Sequence, residues 1–254
     1  MKAIRMARIF HDQRRREFLA ASAAGLILSV LARPVRAAVA TSGRKMKIGI
    51  IGTGKIGGSL AELWAKAGYE LLISSRHPEE LQDLARRLGP GVRAGTPREA
   101  AAFGEVVLVS APYGAFPQIG RDYAAELRGK VVLDPGNPYP SRDGDMAYEA
   151  RKKGTGVADA EFFPGVRLVR AFNSLPYWEL KSEAYRAGEK AAIPLAADDA
   201  DALRIAERLV RDAGFEPVIV GGLSRAREFD VDTAAYGRAH TARELRDALG
   251  LKNP

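Results

Sequence analysis

The stretch KIGIIGTGKIGGSLAELWAKAGYELLISSR, residues 47–76, decides the fold of this chain. It opens with the apolar run IGII, which is long enough for one buried strand. Gly52, Gly54 and Gly57 follow at the spacing G-x-G-x-x-G, and an amphipathic helical pattern follows them. A second apolar run, residues 69–74, predicts a second strand. A strand, a glycine turn, a helix and a strand in this order are typical of a dinucleotide-binding unit.

Each glycine of this unit has its own role in binding a dinucleotide. Gly52 permits the tight turn out of the strand, Gly54 lets the backbone approach a pyrophosphate, and Gly57 lets the helix pack on the strand. The free N–H groups and the dipole at the start of the helix then attract the phosphates. The alternative interpretation is a glycine turn that binds no ligand.

The end of the second predicted strand indicates which dinucleotide is bound. An NAD-binding unit places Asp or Glu there, to accept a hydrogen bond from the ribose 2′-hydroxyl. This chain has Ser74, Ser75 and Arg76 instead, followed by His77. Two hydroxyls and a guanidinium favour a 2′-phosphate, so the sequence predicts NADP(H) as the cofactor. The alternative is that Arg76 is a surface cation without a ligand.

Further apolar runs alternate with helical patterns along the rest of the chain, which predicts a parallel sheet covered by helices on both faces. These runs are residues 92–95, 105–111, 130–133, 166–171, 191–197 and 215–220. A last helix is predicted over residues 241–249. The predicted fold class is therefore α/β: a doubly wound, mostly parallel sheet of the NAD(P)-binding Rossmann type, with a short C-terminal helical extension.

The residue run that follows the predicted strand 105–111 is a candidate for cofactor contact. The carboxyl ends of parallel strands face the crevice in which such folds bind their ligands. We therefore expect Ala111, Pro112 and Tyr113 to line the dinucleotide. For Tyr113, a place in the core or at the rim of the site is an equally good expectation.

Two later strand ends supply further candidates near the nicotinamide. Asn137 lies in the loop DPGNPYP and can bond the nicotinamide or the ribose. The backbone of Ala171 and the side chain of Asn173 are candidates for holding the carboxamide. The alternative for Asn173 is a turn residue that bonds its own backbone.

Composition limits the classes of function. The chain carries a formal net charge of +8 and no cysteine. Most of the excess positive charge lies in residues 1–40, so the remainder is nearly neutral and a general nucleic-acid-binding surface is not indicated. The lack of cysteine excludes disulfides, thiolate nucleophiles and cysteine-ligated metals.

The first residues predict an export signal. Arg15 and Arg16 form a twin pair followed by x-Phe-Leu, an Ala-rich apolar stretch comes next, and an A-x-A cleavage site ends at Ala40. This pattern is similar to a twin-arginine (Tat) signal peptide, which predicts a periplasmic protein. We expect a signal in residues 1–40 and one domain in residues 41–254, without a membrane-spanning segment in the mature chain. The alternatives are an uncleaved anchor or a start codon assigned too early, and a cytoplasmic protein if the leader is not used.

Several segments together resemble the family of NADPH-dependent coenzyme F-420 reductases. They are GTGKIG, SSRHPEEL, DPGNP, AFNS and GFEPVIVGGLSRAR, and the resemblance covers about residues 46–250. The same dinucleotide-binding domain is found in the STEAP-type ferric reductases.

The resemblance implies that NADPH passes a hydride to a flat small-molecule acceptor, either the deazaflavin coenzyme F-420 or a flavin. By this resemblance, the pyrophosphate is bound by Thr53, Gly54, Lys55 and Ile56. The 2′-phosphate is bound by Ser75 and Arg76, and the ribose and nicotinamide lie along Ala111, Pro112 and Ala171. It also fits a homodimer.

Hydride transfer between two rings depends on their alignment and needs no protein nucleophile. The predicted mature chain has two histidines, His77 and His240, and neither has a motif partner. No catalytic acid or base and no metal site are therefore predicted. One alternative function is a reductase of imines or β-hydroxy acids, which shares this N-terminal domain but usually carries a long helical C-terminal domain. The other is a non-catalytic NADP-binding sensor.

Overall fold

The computed structural model describes residues 45–253. The predicted leader, with its cleavage site at Ala40, lies outside the described residues. Within them, the helices are all too short or too polar to cross a membrane. The strands of the described part are β1 (Lys47–Ile51), β2 (Glu70–Ser74), β3 (Val92–Gly95), β4 (Val106–Val109), β5 (Val131–Asp134), β6 (Arg167–Arg170), β7 (Ala192–Ala196) and β8 (Glu216–Gly221).

These strands form a sheet of eight with the order β3-β2-β1-β4-β5-β6-β7-β8. Neighbouring strands from β3 to β6 run parallel. β7 is antiparallel to β6, which it meets only at the pair Arg170 and Ala196, and it runs parallel to β8. The predicted fold class is confirmed, and the reversed pair β7 and β8 is why the sheet is only mostly parallel.

Helices cover both faces of the sheet. They are α1 (Lys55–Lys66), α2 (Gln82–Leu88), α3 (Pro97–Phe103), α4 (Phe116–Asp122), α5 (Ala124–Leu127), α6 (Pro140–Asp143), α7 (Asp145–Lys153), α8 (Thr155–Phe162), α9 (Tyr177–Ser182), α10 (Ala200–Asp212) and α11 (Ala242–Ala248). Local sequence fixes where several of them begin. Thr96 and Glu99 form a capping box at α3, Thr241 and Glu244 form another at α11, and the Asp199 carboxylate caps α10.

Alternating side chains of the strands divide the interior into two layers. On one face, Ile48 and Ile50 pack with Trp64 of α1. On the other face, Val107 and Val109 pack with Phe116 of α4. Each of these side chains is almost completely buried, and such burial contributes about 1.5–3 kcal/mol per large apolar side chain. Because both faces are filled, the open part of the sheet is the edge where β1, β4, β5 and β6 end.

Candidate functional site

A cleft with a volume of about 370 Å³ lies where β1, β4, β5 and β6 end. The strand order reverses between β1 and β4, and ligands of doubly wound folds bind at such a reversal. The wall formed by the strand ends includes Gly54, Ile56, Ala111, Pro112 and Asn137. The structure therefore brings together candidates that the sequence places as much as 83 residues apart.

The turn between β1 and α1 has the geometry that the glycine spacing predicts. Gly52 adopts a φ of +93°, and a Cβ there would lie 2.3 Å from the carbonyl oxygen of Ser110. A Cβ on Gly57 would lie 2.2 Å from the carbonyl oxygen of Gly52. Both positions therefore require glycine. Around Gly54, by contrast, a Cβ would meet no atom within 4 Å, so the backbone is open to a ligand.

The start of α1 is open to an anion. The helix has no side-chain cap at Gly54 and no acidic residue in its first turn. Its first N–H groups therefore keep both their hydrogen-bonding capacity and the positive end of the helix dipole for a ligand. Thr53 anchors the turn, since its amide and its hydroxyl both donate to the carbonyl oxygen of Ser74 at 3.0 Å. Lys55 is exposed and its Nζ lies 4.7 Å from the ring centre of Tyr177.

The segment after β2 carries the predicted 2′-phosphate contacts. The Ser75 Oγ accepts a hydrogen bond from the His77 amide at 3.0 Å. The His77 imidazole lies 3.3 Å from the Glu79 carboxylate. Glu79, an acid near Arg76 in sequence, therefore already has a partner. Arg76 is exposed and forms no ion pair with any of the described residues. Its guanidinium is therefore free to meet a phosphate.

Burial corrects three of the predicted cofactor contacts. Ser74 is fully buried, and its hydroxyl donates to the carbonyl oxygen of Ile50 at 2.7 Å. Tyr113 is also fully buried, and its hydroxyl donates to Asp159 instead of facing the cleft. Ala171 has no exposed surface, so its backbone does not reach the ligand space. Each residue lies at a strand end as predicted, but its atoms point into the protein.

Two asparagines line the cleft with their amide groups held in place. Asn137 Nδ2 donates to the carbonyl oxygen of Asn173 at 2.8 Å, and Asn173 Nδ2 donates to that of Phe229 at 3.1 Å. Both Oδ1 atoms are buried and have no partner among the described residues. A buried acceptor without a donor costs about 1–3 kcal/mol. Two such oxygens fit a ligand that brings N–H groups, and the carboxamide of nicotinamide has two N–H hydrogens.

The turn after β6 holds an unusual backbone conformation. Phe172 has a φ of 62°, in the left-handed region that a bulky side chain rarely adopts. Its buried ring packs edge-on against Trp64 and Phe215, with ring centres 5.9 Å and 6.4 Å away. These contacts hold the backbone in place and turn Asn173 to the cleft. The sequence alone gave no sign of this conformation.

A buried ion cluster lies beneath the loop that follows β5. Arg170 has no exposed surface, and its guanidinium lies 2.9 Å from Asp134 and 3.3 Å from both Asp159 and Asp230. It also donates to the carbonyl oxygen of Gly136 at 2.7 Å, which fixes the loop that carries Asn137. Burial raises the pKa of Asp159 well above its usual range, and the neighbouring Asp134 carboxylate raises it further.

Part of the cleft lining is aromatic and is called here the aromatic wall. Tyr177 and Trp178 come from the start of α9, Tyr139 from the loop after β5, and Tyr236 from the segment after β8. The Trp178 side chain is 59% exposed, which is unusual for so large an apolar group. Flat aromatic surfaces bind other flat rings by stacking. This wall was not predicted, because its members are distant in sequence and form no motif.

The parallel sheet, the open helix start and the cleft at the strand reversal together define a dinucleotide-binding oxidoreductase domain. Residues 47–138 match a family model described as "NADP oxidoreductase coenzyme F420-dependent". Together with the relatives below, this match identifies the class as that of the NADP-dependent oxidoreductases. The family resemblance noted from the sequence is confirmed.

Individual relatives agree with this placement. The chain is 29% identical over 217 residues to an F420-dependent NADP reductase of Methanothermobacter thermautotrophicus, which covers 80% of this chain and 93% of the relative. It is 27% identical over 191 residues to the metalloreductase STEAP3 of Rattus norvegicus, covering 72% of this chain but only 36% of that relative. The chain thus spans little more than a third of the rat protein. A solved structure of a hypothetical protein from Sinorhizobium meliloti is 26% identical, with a TM-score of 0.66, covering 78% of this chain and 96% of that chain.

Proposed function

We propose that the protein is an NADPH-dependent reductase of a flat, flavin-like ring such as coenzyme F-420 or a flavin. The observation that carries this proposal is the cleft, whose lining combines the predicted dinucleotide contacts at the strand ends with an aromatic wall. The similarity to the F420-dependent NADP reductase of Methanothermobacter thermautotrophicus over 93% of its length supports the choice of acceptor. As the family resemblance implies, we also propose a homodimer.

In the proposed complex, each part of NADP(H) meets a group of matching chemistry. The open backbone from Gly54 to Ile56 binds the pyrophosphate, and Arg76 with Ser75 binds the 2′-phosphate. The free oxygens of Asn137 and Asn173 accept hydrogen bonds from the carboxamide. When bound, NADPH supplies the hydride. The residues of this chain orient the two rings and exclude water, which is the main protein contribution in such reactions.

An acceptor panel tests this function directly. The full-length protein is mixed with NADPH and one of riboflavin, FMN, coenzyme F-420, a ferric chelate, a cyclic imine or a β-keto acid, and loss of NADPH absorbance is followed. We expect turnover with at least one ring acceptor and slower turnover with the other compounds. Turnover with the imine or the keto acid alone supports the alternative reductase and contradicts the proposal. No turnover with any compound, together with tight NADPH binding, supports a non-catalytic sensor.

We also propose that the Tat pathway exports the folded protein with NADP(H) already bound. The twin Arg15-Arg16 pair and the A-x-A site support export, and a dinucleotide made in the cytoplasm is otherwise scarce outside it. We expect protein purified from the periplasm and then denatured to release NADP(H), detected by mass spectrometry. The double variant R15K/R16K is the control and stays in the cytoplasm. Repeated purification of periplasmic protein without NADP(H) contradicts this proposal.

A further inference from the structure

The aromatic wall contains a pair of hydroxyls whose role the cofactor contacts do not explain. The Tyr139 and Tyr236 oxygens lie 2.5 Å apart, and both residues line the cleft. One hydroxyl donates to the other, so one of the two O–H hydrogens is not used within the pair. The pair therefore has a hydrogen-bond donor to offer.

The surroundings favour the protonated form of Tyr236. Burial raises the pKa of Tyr236, and the hydrogen bond to Tyr139 raises it further. Arg151 faces the pair, and its guanidinium donates hydrogen bonds to the carbonyl oxygen of Pro138 and to the Asp232 carboxylate, each at 3.0 Å.

The Arg142 guanidinium lies 5.2 Å from the ring centre of Tyr139, and it is paired with Asp143 at 2.8 Å. The charged groups around the hydroxyls thus have partners of their own. With the pKa of Tyr236 raised, its hydroxyl serves as a hydrogen-bond donor and not as a base.

Reduction of a flavin-like ring by NADPH creates a negative charge that such a donor can stabilise. The C4–H bond of the dihydronicotinamide breaks, and the hydride carries both electrons to N5 of a flavin or C5 of a deazaflavin. NADPH is oxidised to NADP⁺, and the reduced ring holds the added negative charge in its pyrimidine half until a proton from water neutralises it. A fixed donor at the place where charge develops lowers the barrier, because it interacts more strongly with the product-like state.

We propose that the Tyr139–Tyr236 hydroxyl pair donates a hydrogen bond to the acceptor ring and stabilises the negative charge that arrives with the hydride. This inference rests on the proposed function, since it needs a ring acceptor in the cleft. Both tyrosines lie beyond residues 47–138, the segment that matches the family model. The proposed donor thus comes from segments outside that match.

The test compares the wild-type protein with Tyr236→Phe and Tyr139→Phe, using FMN as the acceptor. We expect each variant to lose about 10- to 100-fold in kcat, while KM for NADPH and for FMN changes by less than about 3-fold. Equilibrium binding measured by flavin fluorescence or absorbance should show about 10-fold weaker binding of reduced FMN and unchanged binding of oxidised FMN. The control is Tyr148→Phe on α7, whose side chain is 61% exposed and lies outside the cleft.

Two results overturn this inference. One is an unchanged kcat in both variants. The other is an equal loss of affinity for oxidised and reduced FMN, which indicates that the pair only shapes the wall. If the proposed function is wrong, the result is different: the wild-type protein then neither reduces nor binds any ring acceptor. The inference about the tyrosine pair is then wrong as well. Thermal melting of each variant identifies loss of folding, and having two tyrosines keeps one variant available if the other is unstable.

Discussion

Arg170→Met is expected to lower the free energy of unfolding by about 3–5 kcal/mol at neutral pH, because it leaves buried acids without their positive charge. Arg170 is the cation within 3.3 Å of Asp134, Asp159 and Asp230, and it has no contact with water. Methionine fills a similar length but provides no charge. Urea denaturation of the variant and of the wild type measures the loss.

The difference in free energy of unfolding between the wild type and Arg170→Met, called the deficit below, should change with pH in a defined direction. Without the guanidinium, burial and mutual repulsion raise the pKa values of the remaining acids above their unfolded value of about 4. A group with a raised folded pKa contributes stability below its unfolded pKa and loses it as the pH rises. The deficit should therefore be smallest near pH 4 and largest near neutrality. A deficit that does not change with pH contradicts the assignment to unpaired carboxylates.

Asp159→Asn is the matched control within the same cluster. Burial and Asp134 raise the pKa of Asp159, which favours its protonated form. An amide has the size and hydrogen-bonding groups of that form, so we expect a free energy of unfolding within about 1 kcal/mol of the wild type at neutral pH. Because the folded pKa of Asp159 is raised, the native protein binds more protons there than the unfolded chain does, and the wild type loses stability as the pH rises above about 4. The variant should thus gain stability relative to the wild type from acid to neutral pH.

Arg76→Ala should raise KM for NADPH by about 10- to 100-fold and change KM for NADH by less than about 3-fold. The two cofactors differ only in the 2′-phosphate, which the free guanidinium of Arg76 is placed to bind. Steady-state kinetics with both cofactors, at one salt concentration, measures the two effects. Arg121→Ala is the control, because Arg121 is an exposed arginine in the last turn of α4. An equal loss with both cofactors contradicts a 2′-phosphate contact.

The first βαβ unit could be predicted from sequence because its signals are local. The glycine spacing fixes the turn at Gly52, and the period of the apolar residues fixes α1. Short elements gave weaker signals: α8, α9 and the 3-10 helix Leu223–Phe229 were not predicted. α9 has only six residues, too few for an apolar period to show.

The site was less predictable than the fold, because side-chain direction depends on packing. Ser74 and Tyr113 lie at the expected strand ends, yet a carbonyl of β1 and a carboxyl of α8 take up their hydroxyls. Arg170 forms ion pairs with acids as far apart in sequence as Asp134 and Asp230, and no local sequence pattern indicates that these residues meet. The aromatic wall is assembled in the same way.

The groups proposed to bind the phosphates and most of the aromatic wall come from different parts of the chain. The glycine turn and Arg76 lie within the first part of the fold, whereas Trp178 and Tyr236 follow much later. Substitutions on the later segments, other than at Asn173, can therefore change the acceptor while the electron donor stays the same. Directed evolution toward a new electron acceptor should concentrate its changes at these later positions and leave the preference for NADPH over NADH intact.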